Sequence, residues 1–186
     1  MAKVLEEIDE GVTRFLLAQH MFIVATAPTA AEGLVNVSPK GLGGSFAVLG
    51  PREVAYLDLT GSGAETIAHL RDNGRICLMF CAFDGPPRIV CLHGRGEVVA
   101  LGDDRFAALA TRFADHPGAR AVIHVRVARV ADSCGFAVPR MTFAGERDQL
   151  VRWAGNRGDE GLAAYRAQKN AVSIDGLPAL TPPADG

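Results

Sequence analysis

Two short stretches of this 186-residue chain carry residue types suited to holding an anion. In Asp58-Leu59-Thr60-Gly61-Ser62-Gly63-Ala64-Glu65-Thr66 the chain leaves an apolar run, bends through two glycines and opens a helical pattern. Backbone N–H groups at a helix start have no partner inside the helix, so with small side chains around them they form a seat for a phosphate or carboxylate. The hydroxyls of Thr60, Ser62 and Thr66 add donors. An ordinary turn with an N-cap gives the same pattern. The stretch is not a P-loop, because no Gly-Lys-Ser/Thr follows, and not a GxGxxG fingerprint, because the third glycine is missing. The second stretch is Asn36-Val37-Ser38-Pro39-Lys40-Gly41, a strand pattern that stops at a proline followed by a cation. Lys40 offers a point charge for a phosphate; a surface lysine in a loop is the plain alternative.

Other reactive side chains carry less. Cys77, Cys81 and Cys91 sit inside apolar runs with the fourth cysteine, Cys134, further on. They read as small buried thiols. No CxxC pair and no Cys/His cluster at zinc spacing occurs, so no metal is expected. His69 reads as an ordinary helix residue, His93 as a structural or interface residue sharing a strand face with Cys91 and Arg95, and His124 as solvent-facing. The formal net charge of -2 argues against a nucleic-acid partner. No run approaches the roughly 20 apolar residues of a membrane span. The acidic first ten residues lack the basic-then-apolar form of a secretory signal, so a cytoplasmic protein is expected.

Stepping outward along the chain, a helical stripe over Glu6 to Gln19 precedes the β-branched run Phe22 to Thr26, and Leu34 to Ser38 completes a hairpin with it. Short apolar runs at Ser45 to Leu49 and Glu53 to Leu59 read as strands. A helix over Ala64 to Asp72 closes at Asn73-Gly74. Arg75 to Phe83 and Arg88 to Leu101 are long strands, and Gly94-Arg95-Gly96 in the second marks a bulge or bend. A helix from Asp103 to about Asp115 leads to the alternating strand Ala121 to Asp132. Gly145 to Lys169 is helical with a break near Gly155 to Gly158, and the segment from Ala179 reads as a loose tail. Strands arrive in hairpins rather than in a βαβ rhythm. The expectation is a mainly β domain with helices, an antiparallel split barrel of six to seven strands over residues 1–178, with a C-terminal helical arm that covers a barrel edge, clasps a partner or roofs a ligand.

The order of these segments, from Asn36-Val37-Ser38-Pro39-Lys40-Gly41 through Tyr56 to Gly63, Asn73-Gly74-Arg75 and Pro86 to Gly96, resembles the pyridoxamine 5'-phosphate oxidase-like family of flavin-binding split barrels. The resemblance spans roughly Leu16 to Val130, and later segments look like an oxidase-like subgroup of unassigned substrate. It implies a homodimer with one flavin mononucleotide (FMN) per subunit at the interface. It places Val37, Ser38, Pro39 and Lys40 against the ring or ribityl chain, and Asp58 and Leu59 near the ring edge. It places Thr60, Gly61, Ser62, Gly63 and Thr66 around the phosphate. The chain departs from the authentic oxidases: Glu65 and Thr66 stand where they carry arginine and lysine, Ile89 replaces a glutamine near the ring, and their C-terminal tryptophan and arginine have no match. The missing charge would have to come from Lys40 or from a partner arginine such as Arg140. The resemblance therefore implies a flavin-dependent oxidoreductase with a substrate other than pyridoxine phosphate, and a reduced nicotinamide as one possible hydride source. A flavin-binding protein or sensor without turnover, or a reductase using a deazaflavin, stands as the alternative.

Overall fold

The computed structural model describes residues 3–180. Eight strands form one antiparallel sheet: β1 (Lys3–Leu5), β2 (Met21–Thr26), β3 (Asn36–Gly41), β4 (Phe46–Gly50), β5 (Glu53–Leu59), β6 (Arg75–Cys81), β7 (Ile89–Ala100) and β8 (Ala119–Ser133). Four helices accompany them: α1 (Glu10–Leu17), α2 (Glu65–Asn73), α3 (Arg105–Ala110) and α4 (Gln149–Lys169). The strand order is β3-β2-β6-β7-β8-β5-β4, and β1 pairs with the far end of β8. The count exceeds the expected six to seven by β1. Its three residues are too short to show a periodicity, and only the length of β8 gives them a partner.

The sheet curls on itself. β2 and β4 lie near opposite ends of the strand order, yet the rings of Phe22 and Phe46 stand 5.3 Å apart. Phe80 and Tyr56 complete an aromatic cluster inside the curl. Val12 and Leu16 of α1 close one end of this core. Asp9 caps that helix, accepting a hydrogen bond from the Val12 N–H at 2.7 Å, which shortens the expected helix at its start. Gly74, with φ of 71°, ends α2 in the left-handed conformation expected of it.

Two irregularities in β8 shape the molecule. Gly94 pairs with Val127 and His93 with Arg129, so Ala128 is an extra residue. The alternation expected along this strand changes phase there, and Val127 and Val130 are both buried while Arg129 is exposed. His124 is half-buried and lies 2.7 Å from Glu53 rather than facing solvent. Gly94 has no room for a side chain: a Cβ there would lie 2.1 Å from the Arg126 carbonyl oxygen. Gly94→Ala is expected to destabilise the fold by about 1–3 kcal/mol through overpacking against backbone. Gly102→Ala, at a position with nothing within 4 Å, is the control. Thermal unfolding of the two variants reads the difference, and equal midpoints would contradict the role of Gly94.

The second irregularity is at the other end of β8. Asp58 pairs with Ala121 and Leu59 with Ala119, so Arg120 is inserted between them. Such a bulge re-aims its side chain, here into the region behind the Thr60 to Gly63 bend.

β3 runs through Pro39 instead of stopping before it. It is an edge strand, so the missing N–H of proline deprives no neighbour of a bond. At the C-terminus, α4 breaks at Gly158, where φ is 64°. Trp153 and Tyr165 would stand about 18 Å apart on a straight helix; their rings lie 4.9 Å apart, so the two halves fold back on each other. The loose tail expected from Ala179 is corrected for its first two residues. Ala179 and Leu180 donate to the Ala171 and Asn170 carbonyls, and Ala179 is buried. Residues 181–186 lie outside the described ones. Among the described residues, no helix is long and apolar enough to cross a membrane.

Candidate functional site

The edge of β3 and the bend after β5 meet. β3 turns Asn36, Ser38 and Lys40 to its half-buried face and Val37 and Pro39 outward. The Asn36 side-chain amide donates to the hydroxyls of Thr26 at 3.1 Å and Thr66 at 3.0 Å, tying the strand to the first turn of α2. Lys40 Nζ donates to Asp58 Oδ1 at 3.0 Å. Arg120 Nε donates to Asp58 Oδ2 at 2.6 Å, and its Nη2 donates to the Gly63 carbonyl at 2.8 Å. One buried carboxylate thus links the strand end, the bend and the bulge of β8.

Electrostatics follow from this geometry. Burial alone pushes the Asp58 carboxyl up, but the Arg120 and then the Lys40 charges, with their hydrogen bonds, outweigh it and hold the group below the usual carboxylate range. Burial, then the Asp58 charge, pushes the Tyr56 phenol well up, so it stays neutral. Two buried donor positions are left over on the same wall. Arg120 Nη1 and Ser38 Oγ have no hydrogen-bond partner. A buried guanidinium N–H without an acceptor is costly. Its neighbourhood also carries a second guanidinium, because Arg166 Nη1 reaches the Thr60 hydroxyl at 3.3 Å. Burial, followed by the charge of Arg120, lowers the Arg166 pKa.

A cavity of about 1040 Å³ opens onto this wall. That is at the upper end of the range for small-ligand sites. Ser38, Pro39 and Lys40 of the first stretch line it. So do Leu59, Gly61, Ser62, Gly63 and Thr66 of the second. Four expected contacts fall elsewhere in this chain. Val37 is 63% exposed on the outward face of β3. Asp58 is fully buried behind the wall, where it acts through Lys40 and Arg120 rather than by touching a ligand. Thr60 is also buried: its N–H donates to the Gly118 carbonyl and its hydroxyl accepts from Arg166, so it anchors the bend from behind. Arg140 is exposed and outside the lining of its own chain's cavity.

Sequence reasoning missed several wall residues. Arg120 is the foremost, although an arginine set inside the apolar run Gly118 to Val125 is a visible signal of a buried charge with a purpose. His20 and Phe143 form a stacked pair, 3.6 Å apart and 9° from parallel, on the cavity rim. Glu146, whose carboxylate accepts from the Gly43 N–H at 2.5 Å, Arg147 and Gln149 bring the start of α4 and the residues just before it to the cavity lining. The end of α4 holds the bend from the other side, where Asn170 donates to the Gly61 carbonyl at 2.9 Å. The arm therefore both flanks the opening and braces the bend. Glu65 lines the cavity as well. Its carboxylate lies against Gly63. His69 sits in α2 as an ordinary structural helix residue: it is fully buried, shares a 3.0 Å hydrogen bond with the Thr26 hydroxyl through Nδ1, and lies outside the cavity.

Comparison with known proteins agrees with this architecture. The family model described as pyridoxamine 5'-phosphate oxidase matches residues 8–134. A protein of Aspergillus flavus named pyridoxamine 5'-phosphate oxidase family protein ustO is 42% identical over 193 residues, spanning 94% of this chain and 76% of its own length. Among solved structures, Group A Streptococcus HupZ superimposes with a TM-score of 0.52 at 20% identity, covering 73% of this chain and 99% of that one. A Clostridium acetobutylicum protein, related to general stress protein 26 of B. subtilis and described as pyridoxinephosphate oxidase family, gives 0.50 at 16% identity, covering 74% of this chain and 92% of that one. These two likenesses concern the fold. With the matched segment spanning all strands from β2 to β8 and the curled sheet in place, the chain belongs to the pyridoxamine 5'-phosphate oxidase family of flavin-binding split barrels.

Proposed function

We propose that the protein holds FMN in the cavity beside β3 and the Thr60 to Gly63 bend, works as a homodimer in the cytoplasm, and acts as a flavin-dependent oxidoreductase on a substrate other than pyridoxine phosphate. The observation that carries this reading is the buried, unpartnered Nη1 of Arg120 at the cavity wall. A dianionic phosphate is the acceptor that such a group lacks. The residues fit the cofactor: Arg120, Lys40, Ser62, Thr66 and the backbone of Gly61 and Gly63 would hold the phosphate, with Ser38 and Pro39 along the ribityl chain and ring. The stacked His20 and Phe143 offer a flat aromatic face at the rim. Bound there, the flavin supplies two-electron redox chemistry, and the chain supplies position and electrostatics.

Charge balance favours a cofactor with a single phosphate. The lining cations Lys40, Arg120 and Arg147 are opposed by Glu65 and Glu146, and Asp58 draws on two of the three. This wall is no broad basic groove of the kind that the long anionic tail of a deazaflavin asks for. A second subunit is supported by the apolar surface beside the cavity: Leu34, Val35 and Val37 are 55%, 69% and 63% exposed. Such a patch marks an interaction surface, and a partner seated there would bring Arg140 or another arginine to the open side.

Purified protein, reconstituted with FMN and separated from free cofactor, is expected to be yellow, to sediment as a dimer and to bleach under anaerobic conditions when a reduced nicotinamide is added. Colour without bleaching by nicotinamide or any substrate makes the protein a flavin carrier or sensor. Protein that takes up no FMN overturns the reading.

A further inference from the structure

On the outward face of the sheet, away from the cavity wall, β6 and β7 bring together side chains that linear spacing keeps apart. Cys77 pairs directly with His93, and Cys91 with Met79. The thiol sulfurs of Cys77 and Cys91 and a ring nitrogen of His93 all lie within 4.8 Å of one another. Two thiolates bound 2.3 Å from a tetrahedral centre stand roughly 3.8 Å apart, so small side-chain rotations bring the three onto one ion. We propose that Cys77, Cys91 and His93 form a binding site for a thiophilic divalent cation of the zinc class, with ligands that are not among the cavity-lining residues.

The surroundings suit a soft cation. Met79, opposite Cys91, and Cys81, two positions further along the same strand face, are further sulfur donors at the margin. Cys77 and Cys91 are half-buried and His93 is exposed, so an ion has a route in and a sheltered seat. A bound cation favours the thiolate form of both cysteines. Three other cations share this face. Arg129 stands opposite His93 and is the one that acts on Cys91. Arg75 and Arg95, the next pair along, both bond Asn73. Two thiolates with imidazole form a set common in zinc sites, with the fourth position left to water or a thioether.

The test uses full-length protein, reduced, stripped with a chelator and titrated with zinc against a competing indicator. Cobalt serves as a spectroscopic probe, read in its ligand-field bands beyond the flavin absorption. The expected result is one zinc per chain, cobalt bands of tetrahedral thiolate ligation, and affinity weakened roughly 100-fold or more in Cys77→Ser and Cys91→Ser. His93→Ala is expected to weaken binding with no change in the thermal midpoint of the metal-free protein. Cys134→Ser, at an exposed thiol outside the cluster, should match wild type. Zinc binding that is absent, or equal in Cys77→Ser and Cys134→Ser, overturns the site. So does a Cys77–Cys91 disulfide which, once reduced, leaves protein that still takes up no zinc.

Discussion

Asp58→Asn is expected to lower the unfolding free energy of the cofactor-free protein by about 3–5 kcal/mol, the cost of stranding buried charge when one partner of an ion pair is removed. The carboxylate is fully buried and is shared by Lys40 at 3.0 Å and Arg120 at 2.6 Å. Asparagine keeps the shape and one acceptor oxygen but removes the charge that both cations face. Urea unfolding of the two proteins gives the difference directly, and a loss under 1 kcal/mol would mean that the cations find other compensation. The same group sets a pH signature. Because folding depresses its pKa, its contribution is complete above the unfolded value of roughly 3.9 and is lost as pH falls through the lower folded value. Wild type should therefore lose stability as pH drops below about 4, and the asparagine variant should lack that part of the slope.

Arg120→Lys is expected to weaken FMN binding by about tenfold or more while costing far less stability than Asp58→Asn. Lysine retains a cation beside Asp58 but has one nitrogen, so it cannot bond Asp58, reach the Gly63 carbonyl and keep a further N–H uncommitted, as Arg120 does. A hydrogen bond to a charged group contributes about 1.5–3 kcal/mol, and about 1.4 kcal/mol is tenfold in affinity. Fluorescence titration of the stripped protein measures it. Wild-type affinity in a folded Arg120→Lys variant would remove Arg120 from the phosphate seat.

How much of this was readable beforehand depended on whether the signal was local. The β2–β3 hairpin and the glycine ending α2 announce themselves in neighbouring residues, and the structure has both; the irregularity expected at Gly94 is there too, but its extra residue is Ala128 on the facing strand β8. The meeting of Ser38 and Lys40 with Ser62 and Thr66 came from a resemblance, and one cavity joins them. What escaped depended on register. Arg120 enters the site because one extra residue lies between Ala119 and Ala121, and Cys77 reaches His93 because β6 and β7 pair at that offset. Likewise Thr60 looked like a ligand donor from composition, but the packing of α4 turned it into an anchor.

The brace from α4 also bears on when the site comes into being during synthesis. All eight strands are complete at Ser133, whereas Arg166 and Asn170, which hold the bend from behind, are made only with α4, some thirty residues later. At about 5–20 residues per second, the barrel has seconds to curl before its bend gains a back wall. A nascent chain cut short after β8 would keep its sheet but leave Thr60 and Gly61 without these two ties, so the bend gains its full bracing only once α4 is made.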